Sequence, residues 1–251
     1  MNKTKVYDAP TRLFHWLFAG LFLGAFAIAK LTDDESAFFS QHMLLGMLLT
    51  ALTLLRILWG VVGSRYARFT SFPLNPKRLI EYFRDILTSK RNRHLAHNPA
   101  SAWAALLMMG LALGLGSTGY LMATGHKKAF EDVHELLANA FIFVVVAHVA
   151  GVALHQIQHK DGIALSMING KKDGMGDGLG IAKSHKLVAI GMAGILGVFA
   201  FSIYKNYDST GQTTSLFGTK LQLGENESEK HGEKSKSQSR EHDEKHDGDD
   251  D

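Results

Sequence analysis

The sequence predicts an all-α integral membrane protein with five membrane-spanning helices and a polar, mostly disordered carboxyl-terminal tail. Three observations carry that prediction. Five apolar stretches, near Leu13–Leu31, Met43–Val62, Trp103–Met122, Leu136–Leu154 and Leu187–Tyr204, approach or reach the length needed for a crossing, which is about 20 residues for a ~30 Å hydrocarbon core. The loops between them divide by charge. Finally, His15, His42, His134 and His148 lie inside or at the mouths of the apolar stretches, where an ionisable side chain is costly and so marks a functional site.

The first stretch follows Lys3 and Lys5 and ends Ala27-Ile28-Ala29, which has the outline of a cleavable signal sequence. Asp8, Pro10 and Arg12 interrupt its leading region, and His15 and Trp16 stand where such a segment would be featureless. It is expected to stay as a spanning helix. The loop Thr32–Gln41 carries Asp33, Asp34 and Glu35 without a basic residue, whereas Gly63–Ser101 carries Arg65, Arg68, Lys77, Arg78, Arg84, Lys90, Arg91 and Arg93. Thr124–Val133 balances Lys127 and Lys128 against Glu131 and Asp132, and the connection after the fourth stretch carries Lys160, Lys171, Lys172, Lys183 and Lys186. Basic loops stay in the cytoplasm, so the amino terminus and both basic loops are expected there. Five crossings then put the carboxyl terminus outside.

Within the Arg-rich loop, Leu79, Ile80, Phe83, Ile86 and Leu87 recur at helical spacing behind Asn75-Pro76, a cap and first turn. An amphipathic helix over about 76–89 on the cytoplasmic leaflet is expected. Residues 173–185 read as a flexible linker, 186–204 as the fifth spanning helix and 205–251 as tail. From Gln222 onward the composition is too polar to bury a core.

The absence of cysteine excludes disulfides, thiolate metal sites, iron–sulfur clusters and covalent haem attachment. His134-Glu135 begins like the zinc-protease motif, but Ala138 stands where its second histidine belongs. No phosphate-binding loop or dinucleotide fingerprint occurs, and positive-inside bias accounts for the basic loop without nucleic acid.

The histidines fit another chemistry. His134 and His148 are fourteen residues apart on one helix, hence roughly 21 Å apart along the axis and about 40° apart around it. The first helix runs outward, so His15 is near the cytoplasmic side; the second runs inward, so His42 is near the external side. The fourth also runs inward, placing His134 externally and His148 deeper. Depth therefore pairs His15 with His148 and His42 with His134, as two non-covalent b haems with paired imidazole ligands would require. Small residues follow the ligands: Gly46 and Ala138 one turn on, and Gly151 three residues after His148. Arg56, fourteen residues after His42, is a candidate for a haem propionate, or it snorkels to the inner interface. His155 is an alternative ligand, a propionate partner or a proton carrier for a quinol, the latter two being preferred. His94, His97, His126 and His185 read as interfacial, His159 as lying past the inner interface, and His231, His242 and His246 as part of the solvated tail.

Arg12-Leu13-Phe14-His15-Trp16, His42 with Gly46 and Arg56, and His134-Glu135-Leu136-Leu137-Ala138-Asn139 through His148 resemble the bacterial di-haem cytochrome b561 family. That family includes the b-type cytochrome subunits of nickel–iron hydrogenases. The resemblance covers about residues 6–172. It implies a four-helix bundle binding two haems through His15, His42, His134 and His148 in the bacterial cytoplasmic membrane. It further implies electron transfer between the membrane quinone pool and a partner. The fifth helix and the tail lie outside the family pattern. On this reading the partner is a periplasmic redox protein, and a c-type cytochrome is favoured because an acidic, flexible tail can steer a basic surface. Three alternatives stay open: a hydrogenase subunit delivering electrons to quinone, a haem-free membrane protein using histidines for metal, and an enzyme acting on a small external oxidant such as superoxide.

Overall fold

The computed structural model describes residues 3–33, 36–88, 97–159, 162–173 and 180–224. Four stretches are long and apolar enough to cross a membrane: Ala9–Leu31, Ala37–Val62, Pro99–Gln158 and Lys186–Lys205. They contain the helices α1 (Ala9–Leu31), α2 (Ser40–Val62), α4 (Pro99–Leu121), α5 (Lys127–His159) and α7 (Lys186–Lys205). Two shorter helices, α3 (Pro76–Leu87) and α6 (Ile163–Asn169), lie between them.

The third stretch is a hairpin of two helices. At Met122–His126 the helix loosens, Thr124 leaves helical geometry and Gly125 takes φ 98°, a conformation open to glycine because it has no Cβ. The chain then doubles back, so that a Cβ on Gly114 would lie 3.0 Å from Leu137 and one on Gly119 would lie 3.6 Å from the His134 ring. The loop expected over 124–133 is therefore mostly the first turns of α5. At 33 residues, α5 is roughly 50 Å long, well beyond the thickness of a hydrocarbon core.

Each start has a local cause. Asp8 caps α1, its Oδ1 accepting the Thr11 N–H at 2.9 Å, with proline in the first turn. Its Oδ2 also accepts the Trp59 indole N–H of α2 at 3.0 Å, so one buried carboxylate ties two helices together. Asn75 caps α3 through Lys77 N–H and Asn98 caps α4 through Ser101 N–H, each followed by proline. The buried faces meet in a core of Phe18, Phe22, Leu49, Leu52, Ala112 and Phe141. Most other apolar side chains on these helices face outward, including Leu58, Val62, Phe143, Val146, Ile190 and Phe201, as helices in a hydrocarbon solvent require.

Helix α3 is tied to α5. Tyr82 is buried and its hydroxyl is 3.2 Å from His155 Nδ1 of α5, and Gln158 Nε2 donates to Ile86 O at 3.4 Å. At the same end β1 (Lys3–Lys5) pairs antiparallel with β2 (Lys171–Asp173), in register Thr4 with Lys172. Of the expected linker, 174–179 lie outside the described residues. The rest is held: Ile181 N–H donates to Lys5 O and Ser184 O accepts Ala9 N–H, each at 2.8 Å.

The segment after α7 departs from the expected tail. Residues 206–224 turn back and form a hairpin of β3 (Thr213–Leu216) and β4 (Thr219–Gln222). Phe217 at φ 51° and Gly218 at φ 83° make its two-residue turn, the form whose twist matches paired strands. Leu221 and Leu223 are buried against Leu44, Ala123 and Ile203, and Thr214 Oγ1 donates to Ile203 O at 2.9 Å. Polar composition concealed it; alternation of Leu221 and Leu223 after Gly218 was the available signal. The acidic part of the tail, 225–251, lies outside the described residues.

Candidate haem site

The four histidines divide between the two ends of the bundle. At the hairpin end, the His42 and His134 rings have centres 6.1 Å apart and stand nearly perpendicular. At the N-terminal end, His15 and His148 lie within electrostatic reach of each other.

The hairpin-end pair is oriented by its neighbours. His42 Nδ1 is 2.8 Å from the carbonyl of Ala25. A carbonyl can only accept, so Nδ1 carries the proton and Nε2 is left with its lone pair. His134 Nδ1 is 2.8 Å from Thr118 Oγ1, and that hydroxyl already donates to the Gly114 carbonyl at 2.9 Å. Its hydrogen is committed, so it accepts from His134, whose Nε2 is also left bare. Fixing the tautomer through the other ring nitrogen is how proteins prepare histidine for iron. Sequence reading singled out His42 and His134 but missed Ala25 and Thr118, which become their neighbours only through packing.

These residues fit a haem. Metal–imidazole bonds of about 2 Å on each side, plus the distance from nitrogen to ring centre, put two axial rings roughly 6 Å apart, as observed. Both histidines, Gly46 and Ala138 line one cavity of about 950 Å³, near the top of the ~300–1,000 Å³ range of ligand sites. A Cβ on Gly46 would meet nothing within 4 Å, so the wall beside His42 faces open space. The lining is chiefly apolar and includes Phe22, Phe26, Leu49 and Leu115. Among the described residues no group of three or more His, Asp or Glu is arranged to hold a metal ion.

Between the two pairs stands an aromatic partition. Phe141 lies seven residues after His134 and seven before His148, while Phe22 lies seven after His15. Seven residues make almost two turns, so each phenylalanine shares a face with its histidines. The Phe22 and Phe141 rings stack with centres 4.1 Å apart, and Phe141 is fully buried. Sequence reading passed over both; the repeated spacing of seven was the signal.

The N-terminal end buries charged side chains, whereas the hairpin-end cavity is chiefly apolar with Lys30 and Glu135 in its lining. Arg56 is buried; its Nη2 donates to Ala67 O at 3.0 Å, and its guanidinium sits 5.7 Å from the Phe14 ring centre and 5.2 Å from that of Phe69. Its Nη1 is buried without a hydrogen-bond partner among the described residues, and the Asp8 carboxylate acts on its charge. His97, expected at the interface, packs between Tyr7 and Phe72. Loss of solvation, then the charges of Arg56 and Lys172, push its pKa down to about 3. His155 is buried against Tyr82, His126 lies in the α4–α5 bend, and His185 precedes α7 edge-on to Trp59. His94, His231, His242 and His246 lie outside the described residues, as does the side chain of His159.

Comparison with known proteins gives one family. The family described as prokaryotic cytochrome b561 matches residues 6–170. A protein of Rhizobium leguminosarum bv. viciae named "Probable Ni/Fe-hydrogenase B-type cytochrome subunit" is 24% identical over 210 residues, covering 66% of this chain and 87% of its own. A protein of the same name from Cupriavidus necator is 22% identical over 215 residues, covering 68% and 87%. No solved structure matches.

Proposed function

The chain belongs to the prokaryotic cytochrome b561 family, and from that premise we propose that it passes electrons across the membrane through two b haems. One is held between His42 and His134, the other between His15 and His148. Membership makes it a multi-pass membrane cytochrome of haem b and electron transport. The count of two rests on the matched depths of the imidazoles. The observation that carries the reading is the hairpin-end pair, with both Nε2 lone pairs left free by Ala25 and Thr118 across an apolar cavity.

Haem, when bound, supplies one-electron redox chemistry at its iron. The protein supplies the rest. His42 and His134 would hold the haem iron through neutral imidazoles, and among the described residues no group of three or more His, Asp or Glu is arranged to hold a bare metal ion. That favours haem over the haem-free alternative, because protein metal sites generally need three or four side-chain ligands. Arg56 Nη1 would pair with a propionate of the N-terminal haem. His155, held by Tyr82 about 10 Å beyond His148 along α5, would accept a proton when a quinol gives up electrons there.

Charge on the loops supports a cytoplasmic amino terminus and, with α1, α2, α4, α5 and α7 each crossing, an external hairpin. The external partner is a redox protein. The relatives' names favour a hydrogenase, and the acidic tail favours a basic c-type cytochrome; co-purification from the native membrane with metal analysis separates the two. The central test is pyridine haemochrome assay of the purified chain. Two protohaems per chain are expected, and none in protein made under haem-replete conditions would overturn the reading.

A further inference from the structure

The family match ends at residue 170, yet the cavity bearing His42 and His134 does not close with that segment. Helix α7 contributes Ile195, Leu196 and Phe199 to its wall, and the hairpin contributes Leu216, Leu221 and Leu223. The course of the chain explains how. Helix α7 starts beside Trp59 and the first residue of α1, runs alongside α1 and α2, and ends against Leu44 near the start of α2. The strands then fold over Ala123 in the α4–α5 bend. Leu221 and Leu223 are almost fully buried, so this is packed structure rather than a loop laid across an opening.

We infer that α7 and the β3–β4 hairpin are part of the haem-binding site, an apolar wall that shields the haem between His42 and His134 and raises its reduction potential. This rests on the two-haem reading. Oxidised haem iron carries one more positive charge than reduced, and surroundings without water or polar groups penalise the charged form. Burial and the apolar shell are established levers on haem potential. Leu216, Leu221 and Leu223 lie beyond the end of α7, beside Leu44 near the start of α2 and Ala123 in the α4–α5 bend, whereas Ile195, Leu196 and Phe199 lie midway along α7.

The test is a potentiometric titration of the full-length protein, followed optically, for wild type, Leu216→Asn and Leu221→Gln. Leu216 is only partly buried, so Leu216→Asn is the variant that spares the fold; Leu221→Met controls for packing. The expected result is a downward shift of one b component, the one that His42→Ala abolishes, with the other component in place and Leu221→Met like wild type. Full haem content with neither potential moved by Leu216→Asn, or with both moved equally, would overturn the wall. Failure of the underlying reading looks different: wild type lacks haem, or His42→Ala and His15→Ala remove the same component.

Discussion

The two ends of the bundle use the same imidazole pairing in opposite surroundings. At the hairpin end the pair is steered by neutral partners, Ala25 O and Thr118 Oγ1, inside an apolar cavity. At the N-terminal end Asp8, Arg56 and Lys172 are all buried, and His97 is held neutral between aromatic rings. Repetition of a ligand motif does not make two equivalent sites. Where axial ligands are alike, the surroundings set the difference in haem potential.

The largest expected effect breaks the comparison outright. His42→Ala and His134→Ala should each abolish one spectral b component, and His15→Ala and His148→Ala the other. Low-temperature optical spectra of the four purified variants check this, and a component shared across the two groups would contradict the pairing. Asp8→Ala acts at the N-terminal end alone. It removes the α1 cap, worth about 1 kcal/mol, and strands the Trp59 indole N–H, at a cost of about 1–3 kcal/mol. The thermal midpoint should fall, with the N-terminal component lost first on heating.

Thr118→Val sharpens the comparison from the other side. It removes the acceptor that fixes His134, and loss of such outer partners typically weakens metal binding about 10–100-fold. Haem transfer to an apo-acceptor protein should quicken for the hairpin-end component only. The smallest effect is pH dependence from His97. Its pKa in the fold is depressed to about 3 from about 6.5 when unfolded, so the unfolded chain binds the extra proton first as pH falls. The stabilisation is complete above about pH 6.5 and declines steadily down to about 3. The thermal midpoint should be lower at pH 5 than at pH 7.5, and His97→Phe should reduce that difference.

Much of this was legible in advance for a specific reason. Helices α1, α2, α4 and α5 announce themselves because a membrane leaves no alternative to long apolar helices. Ligand depth follows from residue count, since a helix rises a fixed distance per residue. His15, His42, His134 and His148 were singled out that way. The hairpin at 213–222 was hidden because Thr, Ser and Gln are neutral about folding until Leu221 and Leu223 find Leu44. Helix α3 showed its amphipathic face, but not that Tyr82 would meet His155.

The sequence by itself determined which segments are apolar helices, which way each runs relative to the next, and how deep each histidine lies; these are local properties of composition and helical rise. Tertiary structure alone decided that Ala25 and Thr118 hold the His42 and His134 rings, that Phe22 stacks on Phe141, and that β3 and β4 wall one cavity. Each of those is a contact between residues distant along the chain, which no local pattern specifies until the helices have packed.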